Sequence, residues 1–465
     1  MSKRNFILLI IILGIAVGTV YGILYLRRGL TGKTTTIGDS INFISQFSPF
    51  SNIKPTPEEE QTPVDGEEPE QIIPTEEVET RLRKVSSMPV AGFAVFQKER
   101  LKEVPIIKPI VDINSASTTA NITNPSGTQA LVAPKEKTVK KSTKKPVPPA
   151  TEFAAALRYV DKTSGNIYQT FADKIEERKF SETVIPRVYE AYFTNKGESV
   201  LMRYLKTDER TIETFVGNLP KEKLGEDLEP GEIDGAFLPD NITDLSISTD
   251  TSKIFYLLNN GGNSIGTILN LPTSKKTQIF DSTFTEWLPS WPNSKNVTLT
   301  TKPSGIVAGY LYMLDVDKKS FLRVLGGING LTTLTSPSGK LVLYNNNLLS
   351  QYIYSTDKKT TEPFGVKTLP EKCVWSKTNE FMYCAVPKEI PGGTYPDDWY
   401  RGEVSFTDQI WKISLLDGST ALVIDPITVP EGEEIDGIKL ALDEKEEYLF
   451  FVNKKDSFLW KLDLK

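Results

Sequence analysis

The sequence predicts an all-β chain: a seven-bladed β-propeller, closed by its N- and C-terminal strands and preceded by one transmembrane helix. Three observations predict it. A small polar turn recurs before a run of strand-forming residues, as in TSPSGKLVLY at 335–344, SWPNSKNVTL at 290–299, WSKTNEFMY at 375–383 and LDEKEEYLF at 442–450. The repeats carry about four short strands each, at the 40–50-residue period of propeller blades. A single long apolar run stands near the N-terminus.

That run, Phe6–Leu26, is 21 residues without a charge, long enough for a helix to cross a bilayer. A cleaved signal peptide would have a shorter apolar region ending in a small-x-small site, which is missing here. Residues 1–33 are therefore expected to be an uncleaved single-pass anchor with charged flanks. Lys3 and Arg4 precede the run, and Arg27, Arg28 and Lys33 follow it. The positive-inside count is thus balanced. The expected orientation has the N-terminus inside and the large domain outside the cytoplasm.

Residues 34–78 are expected to form a disordered tether. Between Pro55 and Thr80 lie ten Asp or Glu, five Pro and no Lys or Arg. Such a segment buries too little apolar surface to fold and is extended by its own repulsion. From residue 79 to 465 the chain reads as the propeller. A second biased stretch, 98–150, carries ten Lys or Arg against four Asp or Glu and includes TVKKSTKKPVPP. It is expected to be a disordered basic insertion inside the first blade.

Aligning the polar turns places Glu198, Lys253, Lys295, Lys340, Glu380 and Glu447 in equivalent positions. Strands follow each: SVLMRY, IFYLL, NVTLT, LVLY, FMYCAV and YLFFV. A seventh blade is implied by PVAGFAVFQ at 89–97 and AALRYVDKTSGNIYQTF at 155–171, with the basic insertion in place of the turn. The last blade ends at FLWKLDL without a fourth strand, and RLRKV at 81–85 is placed to supply it. Without the insertion the ring averages about 48 residues per blade for seven, against six or eight as neighbouring alternatives.

The turns Ser336-Pro337-Ser338-Gly339-Lys340 and Trp375-Ser376-Lys377-Thr378-Asn379-Glu380 resemble those of the bacterial WD40-like propellers of the TolB type. The resemblance covers the ring alone. The anchor, the acidic tether, LRYVDKTSGNIYQ and IPRVYEAYF resemble a group of membrane-anchored propeller proteins of reduced-genome bacteria. That resemblance implies the architecture and no activity.

Composition narrows the chemistry. The chain has no histidine, which excludes imidazole as general base, triad member or metal ligand. Two cysteines are too few for a thiolate zinc site. A net charge of -6 gives no reason to expect nucleic-acid binding. No catalytic, cofactor-binding or metal-binding residues are assigned, and no cofactor is expected. A glycosidase needs only two carboxylates, so a glycan-active enzyme stays open as an alternative.

Cys373 and Cys384 flank the turn of blade six and face each other if Trp375 pairs with Met382. They are expected to form a disulfide if the ring lies outside the cytoplasm, and are otherwise two buried thiols. The loop PKEIPGGTYPDDWYRGEV, 387–404, brings together Tyr395, Asp397, Asp398, Trp399, Tyr400 and Arg401. Aromatics with Arg and carboxylates suit protein or glycan contacts. The alternative is a loop folded over the ring with its aromatics packed down. This loop is expected on the face opposite the insertion, whose lysines would lie on the membrane side. The functional expectation is a non-enzymatic, monomeric scaffold in the cell envelope, binding a protein or glycan partner. A cytoplasm-facing membrane scaffold is the alternative that depends on orientation alone.

Overall fold

Four of the polar turns fold for one shared local reason. The side-chain oxygen at the first position accepts the backbone N–H five residues on: Ser248 from Lys253 at 2.9 Å, Ser336 from Leu341 at 3.1 Å, Ser376 from Phe381 at 3.2 Å and Asp443 from Tyr448 at 2.7 Å. Short oxygen-bearing side chains favour such turns because they replace a backbone partner. The residue three places on adopts a left-handed backbone: Thr251, Gly339, Asn379 and Glu446. This register puts Ser252, one residue before Lys253, in the equivalent place in blade 3.

The structure, a computed structural model, describes residues 81–102, 150–225 and 229–465. The expected span Phe6–Leu26, the acidic tether and most of the basic insertion lie outside the described residues. Among the described residues no helix is long and apolar enough to cross a membrane.

Among the described residues, twenty-eight strands form seven four-stranded antiparallel sheets. Six are consecutive in sequence. The seventh joins Gly437–Leu442, Tyr448–Asn453 and Leu459–Asp463 to Leu82–Lys84, with Leu82 opposite Leu462 and Lys84 opposite Trp460. The fold is thus a seven-bladed propeller, and pairing the chain's first strand with its last leaves no gap in the ring. In blade 1, Val90–Leu101 and Thr151–Asp161 pair from Val90 to Leu101, so Lys98–Leu101 belong to a strand rather than to the insertion. Their backbone groups are satisfied by Thr151–Ala154 across the hairpin, which biased composition alone does not reveal.

The core consists of the surfaces between blades. Each of the seven blade interfaces has its own apolar cluster among the described residues. Second strands feed two clusters at once because alternate residues point to opposite sheet faces. In Phe381–Pro387, Met382 and Cys384 pack toward blade 5, whereas Tyr383 and Ala385 pack toward blade 7. A single blade would leave both faces wet, and stacking around an axis removes both from water.

Antiparallel order fixes the two ends of the ring. First-to-second turns, including the root of the insertion, emerge on one face. Second-to-third connections emerge on the other. In six blades the latter are two to six residues long; in blade 6, between Pro387 and Asp408, the connection is twenty.

Candidate functional site

The long connection of blade 6 forms a lid on its face of the ring. Three of its four aromatics pack down. Tyr395, Trp399 and Phe406 are buried with Leu349 and Leu369 in an eighth apolar cluster that belongs to no single blade interface. Tyr395 and Trp399 each stack on Phe406, with ring centroids 5.8 and 6.3 Å away. A short helix, α1 (Asp397–Arg401), carries Trp399 inward and ends at Gly402, whose φ of 76° few other residues tolerate.

Beneath the lid lies a buried charge cluster. Lys372, in a 3-10 turn entering blade 6, donates from Nζ to Asp408 Oδ2 at 2.7 Å and to Asp436 Oδ1; all three side chains are fully enclosed. The Lys372 ammonium also sits 5.4 and 5.3 Å from the ring centroids of Trp399 and Phe406. An isolated ammonium here would be strongly unfavourable, so the carboxylates are its condition for burial. Asp436 collects further donors: Trp399 Nε1 at 3.0 Å, Ser405 Oγ at 3.0 Å and Phe406 N at 3.0 Å.

The two carboxyls therefore differ. Burial would raise Asp436, but Lys372 and these donors outweigh it and hold its pKa below the ordinary value. Burial pushes Asp408 up to about 6 despite Lys372, and its Oδ1 has no partner. Asp436 is the permanent anion that orients the lid. Asp408 takes a proton more readily.

The lid is hydrogen-bonded to blades 4 and 7, and blade 5 braces the blade 4 contact. Gly305 N in blade 4 donates to Asp397 Oδ2 at 2.6 Å, and Asn347 Nδ2 in blade 5 donates to Gly305 O at 3.0 Å. Lys454 Nζ in blade 7 donates to Trp399 O at 2.8 Å. Tyr400 Oη donates to Glu371 Oε2 at 2.8 Å. Burial raises Glu371 to about 7, against the opposing effects of that hydrogen bond and of Lys372.

Of the six residues singled out in the loop, Tyr395 and Trp399 are buried and hold it in place. Asp397 and Asp398 are partly buried and bound internally. Tyr400 and Arg401 are exposed. Arg401 Nη2 donates to Asp398 Oδ1 at 2.5 Å, and Nε to Glu403 Oε1 at 2.8 Å. Around them stand apolar side chains that sequence reasoning missed: Ile306 at 80 %, Val307 at 61 % and Leu348 at 68 % exposure. Ile306 follows Gly305, Val307 follows Ile306 and Leu348 follows Asn347, all in second-to-third connections, so they emerge on the same face of the ring as α1. The available signals were SGIVAG, an apolar pair inside a glycine-bounded loop, and NNNLLS, two leucines in a polar turn. Lys372, Asp408 and Asp436 carried no such signal, since ordinary charged residues gave no hint of burial.

The inner strands bulge at the same level in several blades, between Val90 and Gly92, Val188 and Glu190, Ile242 and Asp244, and Ile438 and Ala441. Bulges re-aim side chains. Glu190 accepts Arg203 Nη1 at 2.6 Å and Tyr192 Oη at 2.7 Å. Neighbouring Asp244 is raised to about 7, by burial first and by the Glu190 charge in the same direction. Glu190 and Asp244 are thus two carboxyls close enough for the charge of the first to act on the second. Among the described residues no group of acidic or thiol side chains is arranged to hold a metal ion.

Cys373 and Cys384 are directly opposed on neighbouring strands, with Cα atoms 4.0 Å apart, and are joined as a disulfide inside the blade 5–blade 6 cluster.

No protein-family model matches the chain, and no curated protein matches it. Among solved structures it is similar to an oligogalacturonate lyase from Vibrio parahaemolyticus, at 10 % identity and a TM-score of 0.46, over 67 % of this chain and 86 % of that one. It is also similar to the tricorn protease, at 10 % identity and a TM-score of 0.41, over 66 % of this chain and 32 % of that one. A protein of unknown function from Desulfotomaculum acetoxidans is similar at 13 % identity and a TM-score of 0.40, over 65 % of this chain and 93 % of that one.

Proposed function

We propose that this chain is a membrane-anchored, extracytoplasmic scaffold whose propeller, a monomeric ring related to the TolB type, binds a protein partner through its lidded face. The observation that carries the reading is the exposed apolar set Ile306, Val307 and Leu348 on the same face of the ring as the exposed Tyr400 and Arg401. Clustered exposed apolar side chains rimmed by polar groups mark interaction surfaces, and aromatic and Arg side chains supply much of the energy there. The lid is held by a buried ionic cluster and by hydrogen bonds to two other blades, so the surface is preorganised and loses little freedom on binding. The anchor rests on Phe6–Leu26. The outward orientation is supported by the Cys373–Cys384 bond, a linkage typical of oxidising compartments.

Chemical cross-linking of intact cells tests the reading. The wild-type chain is expected to carry a higher-mass adduct that the double variant Ile306→Asp/Leu348→Asp loses, with its thermal midpoint unchanged. An identical adduct pattern in both, or none in either, overturns it.

The alternative of a carboxylate-dependent glycan-active enzyme is favoured by one observation, the Glu190–Asp244 pair. Acid and base roles need two carboxyls of unlike proton affinity. Glycan cleavage that Asp244→Asn abolishes without unfolding the ring would support it over the scaffold.

A further inference from the structure

On the face opposite the lid, the root of the basic insertion holds a second charge cluster. Glu222, in the connection between the third and fourth strands of blade 2, accepts Arg158 Nη2 at 2.6 Å and Gln169 Nε2 at 3.3 Å. It also accepts Lys98 Nζ and Arg178 Nη2. Three cations therefore meet one carboxylate, where a pair would suffice for neutrality.

The three differ in what they have left to give. Arg158 is buried and fully engaged: Nε donates to Gln169 Oε1 at 2.8 Å, Nη1 donates to Gly197 O, and its guanidinium lies 4.3 Å from the Phe180 ring centroid. Lys98 and Arg178 retain side-chain exposures of 20 % and 35 %. They open into a cleft of about 840 Å³ whose walls include Leu101, Phe171 and Leu224. A second cleft of about 610 Å³ reaches Lys98, Arg158 and Glu222 from the blade 2 side. Burial lowers the pKa of Lys98, and although Glu222 opposes this, Arg158 and Arg178 push in the same direction as burial.

We propose that the larger cleft binds an amphiphilic organic anion, with its carboxylate or phosphate on Lys98 and Arg178 beside Glu222 and its apolar part along Leu101, Phe171 and Leu224. The volume suits a small molecule. Arg178 offers the planar fork that matches carboxylate and phosphate oxygens, and Lys98 adds a point charge. Leu101 and Leu224, exposed at 38 % and 48 %, supply an apolar wall next to the cations. The described walls of this cleft also carry Glu99, Glu176 and Glu177, and a bound anion would add a counter-charge to the Lys98, Arg158 and Arg178 group that meets Glu222. The site shares no residue with the lidded face, so either assignment can fail without the other.

The test is a thermal-shift titration of the full-length chain in detergent at constant ionic strength, with butyl phosphate, butyrate, inorganic phosphate and butan-1-ol as probes. Butyl phosphate or butyrate is expected to raise the midpoint saturably, and the stronger of the two identifies the anionic group. Inorganic phosphate should need about tenfold more, for want of the apolar contact, and butan-1-ol should give no saturable shift. Arg178→Gln should raise the half-saturating concentration at least about tenfold with its ligand-free midpoint unchanged. If that variant is itself destabilised, Lys98→Gln provides the same reading. No saturable shift with either organic anion, or titrations unaffected by the substitution, would overturn the assignment.

Discussion

Gly339 shows how narrowly one residue can be constrained here. It sits at the left-handed position of the blade 5 turn with φ of 73°, and an added Cβ would lie 2.5 Å from Asn293 Nδ2 in the neighbouring turn. Gly339→Ala should cost about 1–2 kcal/mol, measured by denaturant unfolding, because a side chain disfavours the left-handed backbone and displaces Asn293. The same position in blade 6 holds Asn379, which tolerates this backbone better than most residues, so Asn379→Gly should be close to neutral. Glu371 gives a prediction in pH. Its folded pKa of about 7 lies above the ordinary value of 4.5, so it binds a proton more tightly folded than unfolded. Its contribution to stability is therefore full below about pH 4.5 and is lost as pH rises through about 7. Glu371→Gln should match wild type near pH 4 and exceed it by on the order of 1–3 kcal/mol near pH 8, since the amide oxygen still accepts from Tyr400. Unfolding curves for the two proteins at both pH values decide it; a variant less stable at the higher pH contradicts the assignment.

At the scale of elements, the lid is where local sequence and tertiary structure part company. Its twenty residues contain one helix of five residues, so its shape depends on what lies beneath it. Lys372→Met would leave Asp408 and Asp436 buried without their cation. Breaking a buried ionic cluster in this way costs about 3–5 kcal/mol, and the lid should become cleavable by trypsin at Arg401 while the blades stay protected. Continued protection at Arg401 would show that the aromatic stack alone holds the lid. The blades were legible in the sequence because each turn is stabilised by its own side chain and each strand by its alternation. Closure by Leu82–Lys84 was legible because the last blade lacked a strand that RLRKV could supply. The lid was legible as a long loop, but not in its contacts. Trp399 reads as a binding residue and is a packing residue, because Asp436, which receives its indole N–H, is 37 positions away. Ile306, Val307 and Leu348 come from two other blades, and only the closed ring brings them to the face that carries α1. Likewise Lys98 reads as part of a solvated basic run until Glu222 is brought against it from blade 2.

For the whole molecule, the ring separates the two faces to which the proposals are assigned. One bears the lid and its apolar rim; the other bears the insertion root and the cation-rich cleft. The proposed scaffold requires the lidded face to be outside the cytoplasm and covered by a partner. Labelling of intact cells with a membrane-impermeant maleimide, after a single reactive thiol has been introduced, measures both requirements together. Leu348→Cys reports the lidded face and Leu416→Cys, at a position 79 % exposed in a hairpin of blade 6, serves as reference. The account predicts that the reference variant is labelled in intact cells, while the lidded-face variant is protected there and reacts once the protein is purified. Equal labelling of the two variants in intact cells would contradict a covered lidded face, and labelling of neither until lysis would contradict its placement outside the cytoplasm.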